Sequence, residues 1–283
     1  MVSVIVPMYN AAPYLAGLLE SLALQVVSEP WEIIAVDNGS TDESIAIATG
    51  VQNRLSIRVV SASAKRNPSF ARNEGVRHAA GEKLVFIDAD DQVDSRYVEC
   101  LAQALNSHAF VTSKVDSVVL NPPWVRNAHG PAWQTNSVGT FFGFLPAAGI
   151  NIGIQRPLFD ALGGFPEEFS GSEDMAFSWL AQLAGAQIQF VPEAVYFYRY
   201  RDSLAGLFRQ AKNWGRDNVL LYARFRAHGM PGRSVGEGVR DWLSIGRDLL
   251  LARGRSGRAP VVARAGFCVG RVTGSVRYGV WYV

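Results

Sequence analysis

"KLVFIDADDQVD", residues 83–94, sets an apolar run against four carboxylates, Asp88, Asp90, Asp91 and Asp94. Leu84 to Ile87 have the unbroken apolar character of a strand covered on both faces, and the acids fall where that strand stops. Three similar runs precede it: "VSVIV" (2–6), "WEIIAV" (31–36) and "LSIRVV" (55–60). Helical patterns lie between them. One runs from Ala12 to about Leu24 with Leu15, Leu18, Leu19 and Leu22 on one face. A second is opened by "DESIAIATG" (42–50), and a third, "SFARNEGVRHAAG" (69–81), is closed by Gly81. This alternation predicts an α/β fold, a Rossmann-like, mostly parallel central sheet flanked by helices. Ligands of such sheets bind beyond the carboxyl ends of the strands. Here those ends are polar: "PMYN" (7–10), "DNGSTD" (37–42), "SAKRN" (63–67) and "DADD" (88–91).

The rest of the chain is less regular. Residues 109–150 read as short strands and loops around Pro122, Pro123 and Pro131. A helix over Pro157–Leu162 ends at the glycines of "LGGF", and another runs from near Ser172 to Ala184 before a strand "QIQFV" (187–191). From Gly206 onward the pattern is helical, with Gly and Arg interspersed. The expected division is a body over 1–200, with halves at 1–105 and 106–200, and a basic helical extension over 201–283.

At 48% apolar and 18% charged, the 283 residues are those of a globular protein with a full core. No run approaches the roughly 18 apolar residues of a membrane span; "FFGFLPAAGI" (141–150) is too short and holds a proline. The opening residues lack a basic leader and read as a strand, not a signal peptide. Cys100 and Cys268 make neither a disulfide framework nor a metal cluster, which suits a reducing cytoplasm. His78, His108, His129 and His228 are isolated and read as surface residues. The net charge of +2 conceals a gradient. Sixteen of the 27 Lys and Arg follow Tyr198, against five of the 25 Asp and Glu, leaving +11 after that residue and −9 before it. A basic end of this kind meets phosphates, an anionic surface or simply solvent.

Carboxylates crowded at one strand end repel one another and want a cation. Oxygen donors alone favour Mg²⁺ or Mn²⁺ over zinc, and few protein ligands leave room for phosphates. Asp94 reads instead as the N-cap of "SRYVECLAQAL". In "DNGSTDES" (37–44), Asp37 stands at a strand tip, free to accept from a base N–H, while Ser40 or Thr41 caps the next helix with Asp42 and Glu43 in its first turn. Arg72, early on its helix, is placed to fork onto phosphate oxygens, with Lys65 and Arg66 upstream to do likewise.

The segments "VSVIVPMYNAAPYLAGLLESL", "VDNGSTDES", "ARNEGVRHAAGEKLVFIDADD" and "GGFPEEFSGSEDMAFSWLAQLAG" together resemble a family-2 glycosyltransferase of the GT-A fold, over about residues 1–200. The resemblance implies an inverting transferase that uses a nucleotide-diphosphate sugar and a divalent metal, Mn²⁺ or Mg²⁺. It makes 1–105 the nucleotide-sugar half and 106–200 the acceptor half. Pro7, Tyr9 and Asn10 would line the nucleotide pocket and Asp37 would read the base, a uracil or thymine imide suiting it best. Arg72 and Lys65 would meet the nucleotide or its diphosphate. Asp88 would lie by the ribose with Ala89 beside it, and Asp90, with Asp88, would hold the metal. Asp174 would be the catalytic base, with Glu173 next to it against the acceptor. The acceptor would be a carbohydrate or lipid-linked hydroxyl in cell-envelope glycan, glycolipid or polysaccharide synthesis.

Some positions depart from that pattern. Lys65-Arg66-Asn67 stands where many relatives have Asn-x-Gly, and Asn67 is expected to keep the turn by adopting left-handed backbone. Leu180 replaces a frequent arginine. "QAKNW" (210–214) resembles the QxxRW of processive synthases with Asn213 for its arginine, so a non-processive enzyme is expected. The end, "RAPVVARAGFCVGRVTGSVRYGVWYV" (258–283), mixes Arg258, Arg264, Arg271 and Arg277 with Phe267, Tyr278, Trp281 and Tyr282. Wound as a helix, it either lies in a membrane interface on the cytoplasmic face or packs on the body or a second subunit. Basic residues without a recognised motif do not point to nucleic acid. Two alternatives share the same sheet: a nucleotidyltransferase, which needs no base at Asp174, and an inactive nucleotide-sugar-binding module.

Overall fold

The computed structural model describes residues 1–129 and 134–283, so Pro131 lies outside the described residues, as does the side chain of His129. The first elements are β1 (Val2–Met8), α1 (Ala12–Ala23), β2 (Trp31–Asp37), α2 (Ser44–Thr49), β3 (Ile57–Ser61), α3 (Pro68–His78) and β4 (Lys83–Phe86). Then come β5 (Gln92–Val93), α4 (Tyr97–Ala104), β6 (Phe110–Asp116), α5 (Pro123–His129), β7 (Ile152–Gln155), α6 (Arg156–Leu162), α7 (Glu173–Leu183) and β8 (Ile188–Phe197). Three long helices follow: α8 (Leu204–Phe225), α9 (Val235–Leu251) and α10 (Gly254–Tyr278).

All the strands join one sheet, in the order β3-β2-β1-β4-β7-β6-β8-β5. The run β3-β2-β1-β4 is parallel, as the strand–helix alternation requires. Beyond it β7 runs antiparallel to both β4 and β6, so the second half is mixed. β1 sits centrally and is buried almost throughout, which is why its sequence is apolar without alternation. α1 buries the Leu15, Leu18, Leu19 and Leu22 face that its periodicity picks out. α6 stops at Gly163, whose φ of 76° suits a residue without a Cβ.

Several boundaries differ from the sequence reading. α3 ends at His78, and Gly81 instead lets the chain pass β1, since a Cβ there would lie 2.7 Å from the Ser3 nitrogen. α2 begins only at Ser44 and is capped by neither Ser40 nor Thr41; Asp42 accepts from the Ser44 nitrogen and hydroxyl and from the Ala12 nitrogen. Asn67 is extended, at φ −159°, and caps α3 by accepting from Phe70 N at 2.9 Å. It therefore acts as an N-cap, not as a left-handed turn residue. Asp94 accepts from Arg96 N at 3.0 Å in the turn before α4; the cap residue is Arg96, two positions on, so Asp94 is not the N-cap. Residues 123–129, expected as loop, form α5, because Pro123 fits the first helical turn.

The C-terminal helices are packed onto the body. A second apolar cluster takes Ala147, Phe169 and Trp179 from before residue 200, and Val219, Phe225 and Tyr282 from after it. α8 and α10 lie against each other along Gly215 and the row Gly266, Gly270 and Gly274. A Cβ on Gly215 would overlap the Phe267 carbonyl, and one on Gly270 the Lys212 carbonyl; on Gly274 it would lie 2.9 Å from the Arg216 oxygen. The aromatic residues offered above to a membrane are mostly used inside. Tyr282 stacks on Tyr222 at 4.4 Å, Phe267 carries the Arg271 guanidinium, and Trp281 alone stays largely exposed. For residues 258–283 packing on the body is what the structure has, because glycines every fourth residue let two backbones meet. Gly270→Ala should therefore cost about 1–3 kcal/mol in urea unfolding. Gly246→Ala, at a helical position with open space around it, should gain up to about 1 kcal/mol. Equal stability of Gly270→Ala and wild type would contradict this packing.

Candidate active site

The acidic tip is brought to its place by a two-residue strand. After β4 the chain turns, and β5 pairs antiparallel with the end of β8, Gln92 opposite Phe197. That pairing sets Asp90 and Asp91 beside Tyr196, Arg199 and Arg201. Asp91 is buried, and both its oxygens are taken: Tyr196 Oη donates at 2.8 Å and Arg199 N at 2.6 Å. Tyr196 Oη in turn accepts from Asp88 N at 3.0 Å. Asp91 is thus the bracket of the tip. Burial, then the charges of Asp90 and Asp88, push its carboxyl well above the usual range. Asp90 is raised mainly by burial, against which the Arg201 guanidinium at 2.8 Å works.

Donor oxygens of Asp88, Asp90 and Asp91 lie within 4.8 Å of one another, a hard-oxygen set suited to a divalent cation. Both oxygens of Asp91 are taken by Tyr196 and Arg199. The pairs to Arg72 and Arg201 use one oxygen each of Asp88 and Asp90, so these two could hold the cation.

Arg72 sits at the junction of the two halves. Its side chain is 3% exposed and ends between Asp88 at 2.6 Å and Glu173 at 2.7 Å. Burial opposes its charge, yet the two carboxylates outweigh burial and hold the guanidinium protonated. The fork expected to face phosphates is closed on carboxylates. Asn73, beside it, accepts from Phe165 N at 2.8 Å and donates to Phe165 O at 2.9 Å. Asn67 donates to the carbonyls of Glu167 and Phe169. Three residues of α3 and its cap therefore clamp the segment that leads into α7. Asp217, buried on α8, braces the same segment by accepting from Ser170 N at 2.7 Å.

At the start of α7, Glu173 and Asp174 occupy a first turn that favours negative charge. Asp174 accepts from Met175 N at 2.7 Å. Even so, burial and then the neighbouring Glu173 charge push its carboxyl up from 3.8 to about 7. Glu173 is committed to Arg72 through one oxygen, and the other is buried without a hydrogen-bond partner.

Tyr9, Arg72, Asp88, Asp90, Glu173 and Asp174 line one cleft of about 870 Å³. Its far wall is Phe141, Phe142, Trp214 and Phe267, so α8 and α10 complete the site. Gln210 and Asn213 of the "QAKNW" stretch also face it. The remaining candidates are peripheral to this cleft. Pro7 lies on β1 opposite Val36, and Ala89 is buried in the core. Asn10, at φ 48°, accepts from Thr41 N and so stitches the β1 loop to the β2 loop. Asp37 is not free as expected: it accepts from Gly39 N and Ser40 N, both at 3.1 Å, in its own turn. Lys65 pairs with Glu167 at 2.7 Å, and Arg66 lies over the Tyr9 ring. His78, His108 and His228 are exposed. Arg199 and Arg201 were missed because "RYR" opens the basic end of the chain and was read with it. The signal available was "YFYRYR" (196–201), an aromatic strand end followed by two arginines.

Two family descriptions match the chain: "Glycosyl transferase family 2" over residues 3–160 and "Glycosyl transferase family group 2" over 83–255. The chain belongs to glycosyl transferase family 2. It is 27% identical over 202 residues to the poly(ribitol-phosphate) β-N-acetylglucosaminyltransferase TarS of Staphylococcus aureus, covering 69% of this chain and 35% of that enzyme. The chain thus spans about a third of that relative's length. In structure it resembles S. aureus TarS 1-349 in complex with UDP-GlcNAc, with a TM-score of 0.58, 20% identity and coverage of 100% and 93%. It also resembles the mannosyltransferase PcManGT of Pyrobaculum calidifontis in complex with GDP-Man and Mn²⁺, with a TM-score of 0.63, 21% identity and coverage of 96% and 86%. The GT-A fold follows from these likenesses.

The raised carboxyl of Asp174 has a sign that stability can read. Well below 3.8 both folded and unfolded chains hold the proton. From there to about 7 the unfolded chain ionises while the folded one resists, so stability falls with rising pH; above 7 the deficit is constant. Asp174→Asn removes this deficit. The ligand-free variant should melt close to wild type at pH 4 and several degrees higher at pH 8. A melting difference independent of pH would contradict the burial of that charge.

Proposed function

We propose that the protein transfers a sugar from a nucleotide-diphosphate sugar, UDP- or dTDP-linked, to a carbohydrate or lipid-linked hydroxyl with inversion, in cell-envelope glycan synthesis. The carrying observation is that one cleft gathers the Asp88–Asp90 pair and the separate, near-neutral carboxyl of Asp174 from distant parts of the chain. The relative named for poly(ribitol-phosphate) transfer and the fold neighbours bound to UDP-GlcNAc and to GDP-Man support the donor class.

Asp88 and Asp90 would hold a divalent cation, Mn²⁺ or Mg²⁺, whose chemistry when bound is to offset charge on a departing diphosphate. Tyr9, exposed on the cleft with Arg66 across its ring, offers a face for the nucleotide. Pro7, Asn10 and Asp37 at the neighbouring strand ends are proposed to frame the base, Asp37 through the acceptor sites its turn leaves over. Lys65 lies on the same edge. Asp174 takes the proton of the acceptor hydroxyl as that oxygen attacks the anomeric carbon from the face opposite the diphosphate. The new glycosidic bond forms, the bond to the diphosphate breaks with its electron pair, and the proton stays on Asp174. A base near 7 is matched to that task at neutral pH. Glu173 becomes a positioning residue in this reading, because it is spent on holding Arg72 rather than on touching the acceptor.

Asp174→Asn should lower the transfer kcat by about 10²–10⁴-fold, with donor-induced thermal stabilisation retained. In wild type, kcat/KM should fall about tenfold per pH unit below about 7, and that limb should vanish in the variant's residual activity. Undiminished transfer by Asp174→Asn would reject the base assignment.

A further inference from the structure

α9 is amphipathic the wrong way round for a helix lying on a protein. At 3.6 residues per turn, Val235, Val239, Trp242, Leu243, Leu249 and Leu250 share one strip of about 120°. That strip faces out: Trp242 is 43%, Leu243 69% and Leu250 87% exposed. The carboxylates lie on the other side and turn toward the body. Asp241 meets Arg233 at 2.6 Å and Arg271 at 3.4 Å, and Asp248 meets Arg264 at 2.6 Å. The helix buries only Gly238 and Ile245. Packing on the body thus uses ion pairs, while the apolar face is left without a partner among the described residues.

The shoulder of that face is basic, with Asp248 pairing Arg247 at 2.8 Å from behind. Arg240 and Arg247 stand exposed on its shoulder, and Arg253 and Arg258 follow its end. After Asp248 the chain has no Asp or Glu and six arginines, of which Arg264 and Arg271 turn inward to Asp248 and Asp241. We propose that the outer face of α9 docks on an anionic lipid bilayer, its leucines and Trp242 entering the headgroup boundary with the arginines at the phosphates. No helix among the described residues is long and apolar enough to cross a membrane, so α9 lies on the bilayer. A second copy of the chain suits the face less well. Two-fold pairing of α9 would set arginine shoulders against each other with the helix's own carboxylates already paired inward. The apolar strip on α9 is distinct from the aromatic residues of 258–283, which are mostly packed inside, and from the cleft.

The test is co-sedimentation of the 283-residue chain with vesicles of phosphatidylcholine alone or with about a quarter phosphatidylglycerol. Binding is expected to the anionic vesicles, weakening as salt rises. Leu243→Glu/Leu250→Glu should bind at least about tenfold less, with its melting temperature kept because both positions are exposed. Arg240→Gln/Arg247→Gln, which leaves the apolar strip intact, should lose the preference for anionic over neutral vesicles. Absence of wild-type binding, or unchanged binding by the leucine variant, would overturn the proposal. A concentration-dependent dimer in ultracentrifugation that the leucine variant abolishes would overturn it in favour of a second copy. None of these readouts needs sugar transfer, so their failure leaves the catalytic reading untouched.

Discussion

A buried guanidinium between two carboxylates organises this molecule. Arg72 belongs to α3 in the first half of the sheet, and it reaches both Asp88 at the tip of β4 and Glu173 at the head of α7. Removing it would leave Glu173 buried and unpaired, which is among the costlier defects a protein interior can carry. The same helix adds Asn67 and Asn73, whose amides hold the backbone from Phe165 to Phe169. A motif that reads as phosphate-binding is therefore, in this structure, a clamp between the donor edge and the proposed base.

Arg199 and Arg209 also line the cleft, but the carboxylates themselves have few guanidinium partners. Asp88, Asp90, Asp91, Glu173 and Asp174 are close together, and the guanidiniums that contact these carboxylates are those of Arg72 and Arg201. Arg199 spends its guanidinium on the carbonyls of Asp90 and Leu120 and on the Tyr14 ring. Part of the imbalance is met by carboxyls that hold their protons more tightly, Asp91 and Asp174. The remainder is what makes a divalent cation at Asp88 and Asp90 physically reasonable. Arg201 occupies Asp90 with a single positive charge and would have to yield it.

The parallel part of the sheet was legible because β1, β2 and β4 are buried on both faces and the leucines of α1 repeat at helical spacing. Gly163 announced the end of α6 for an equally local reason. What could not be read depends on contacts far apart in the chain. Nothing near Asp91 says that Tyr196 and Arg199 will consume its oxygens, since that follows from β5 pairing with β8. Asn67 looked like a turn residue because a glycine often stands there in relatives, yet Pro68 after it favours extended backbone and a cap. The glycine row of α10 was visible as composition, but its meaning needed the facing Gly215 on α8.

The central claim is that the acidic tip exchanges Arg201 for a metal bound to the donor's diphosphate. Anomalous scattering at the manganese edge, from crystals grown with UDP and Mn²⁺, tests it most directly. The account predicts a peak within coordination distance of carboxylate oxygens of Asp88 or Asp90, with Arg201 withdrawn from Asp90. UDP bound in the cleft with no such peak, and Arg201 still paired with Asp90, would contradict it.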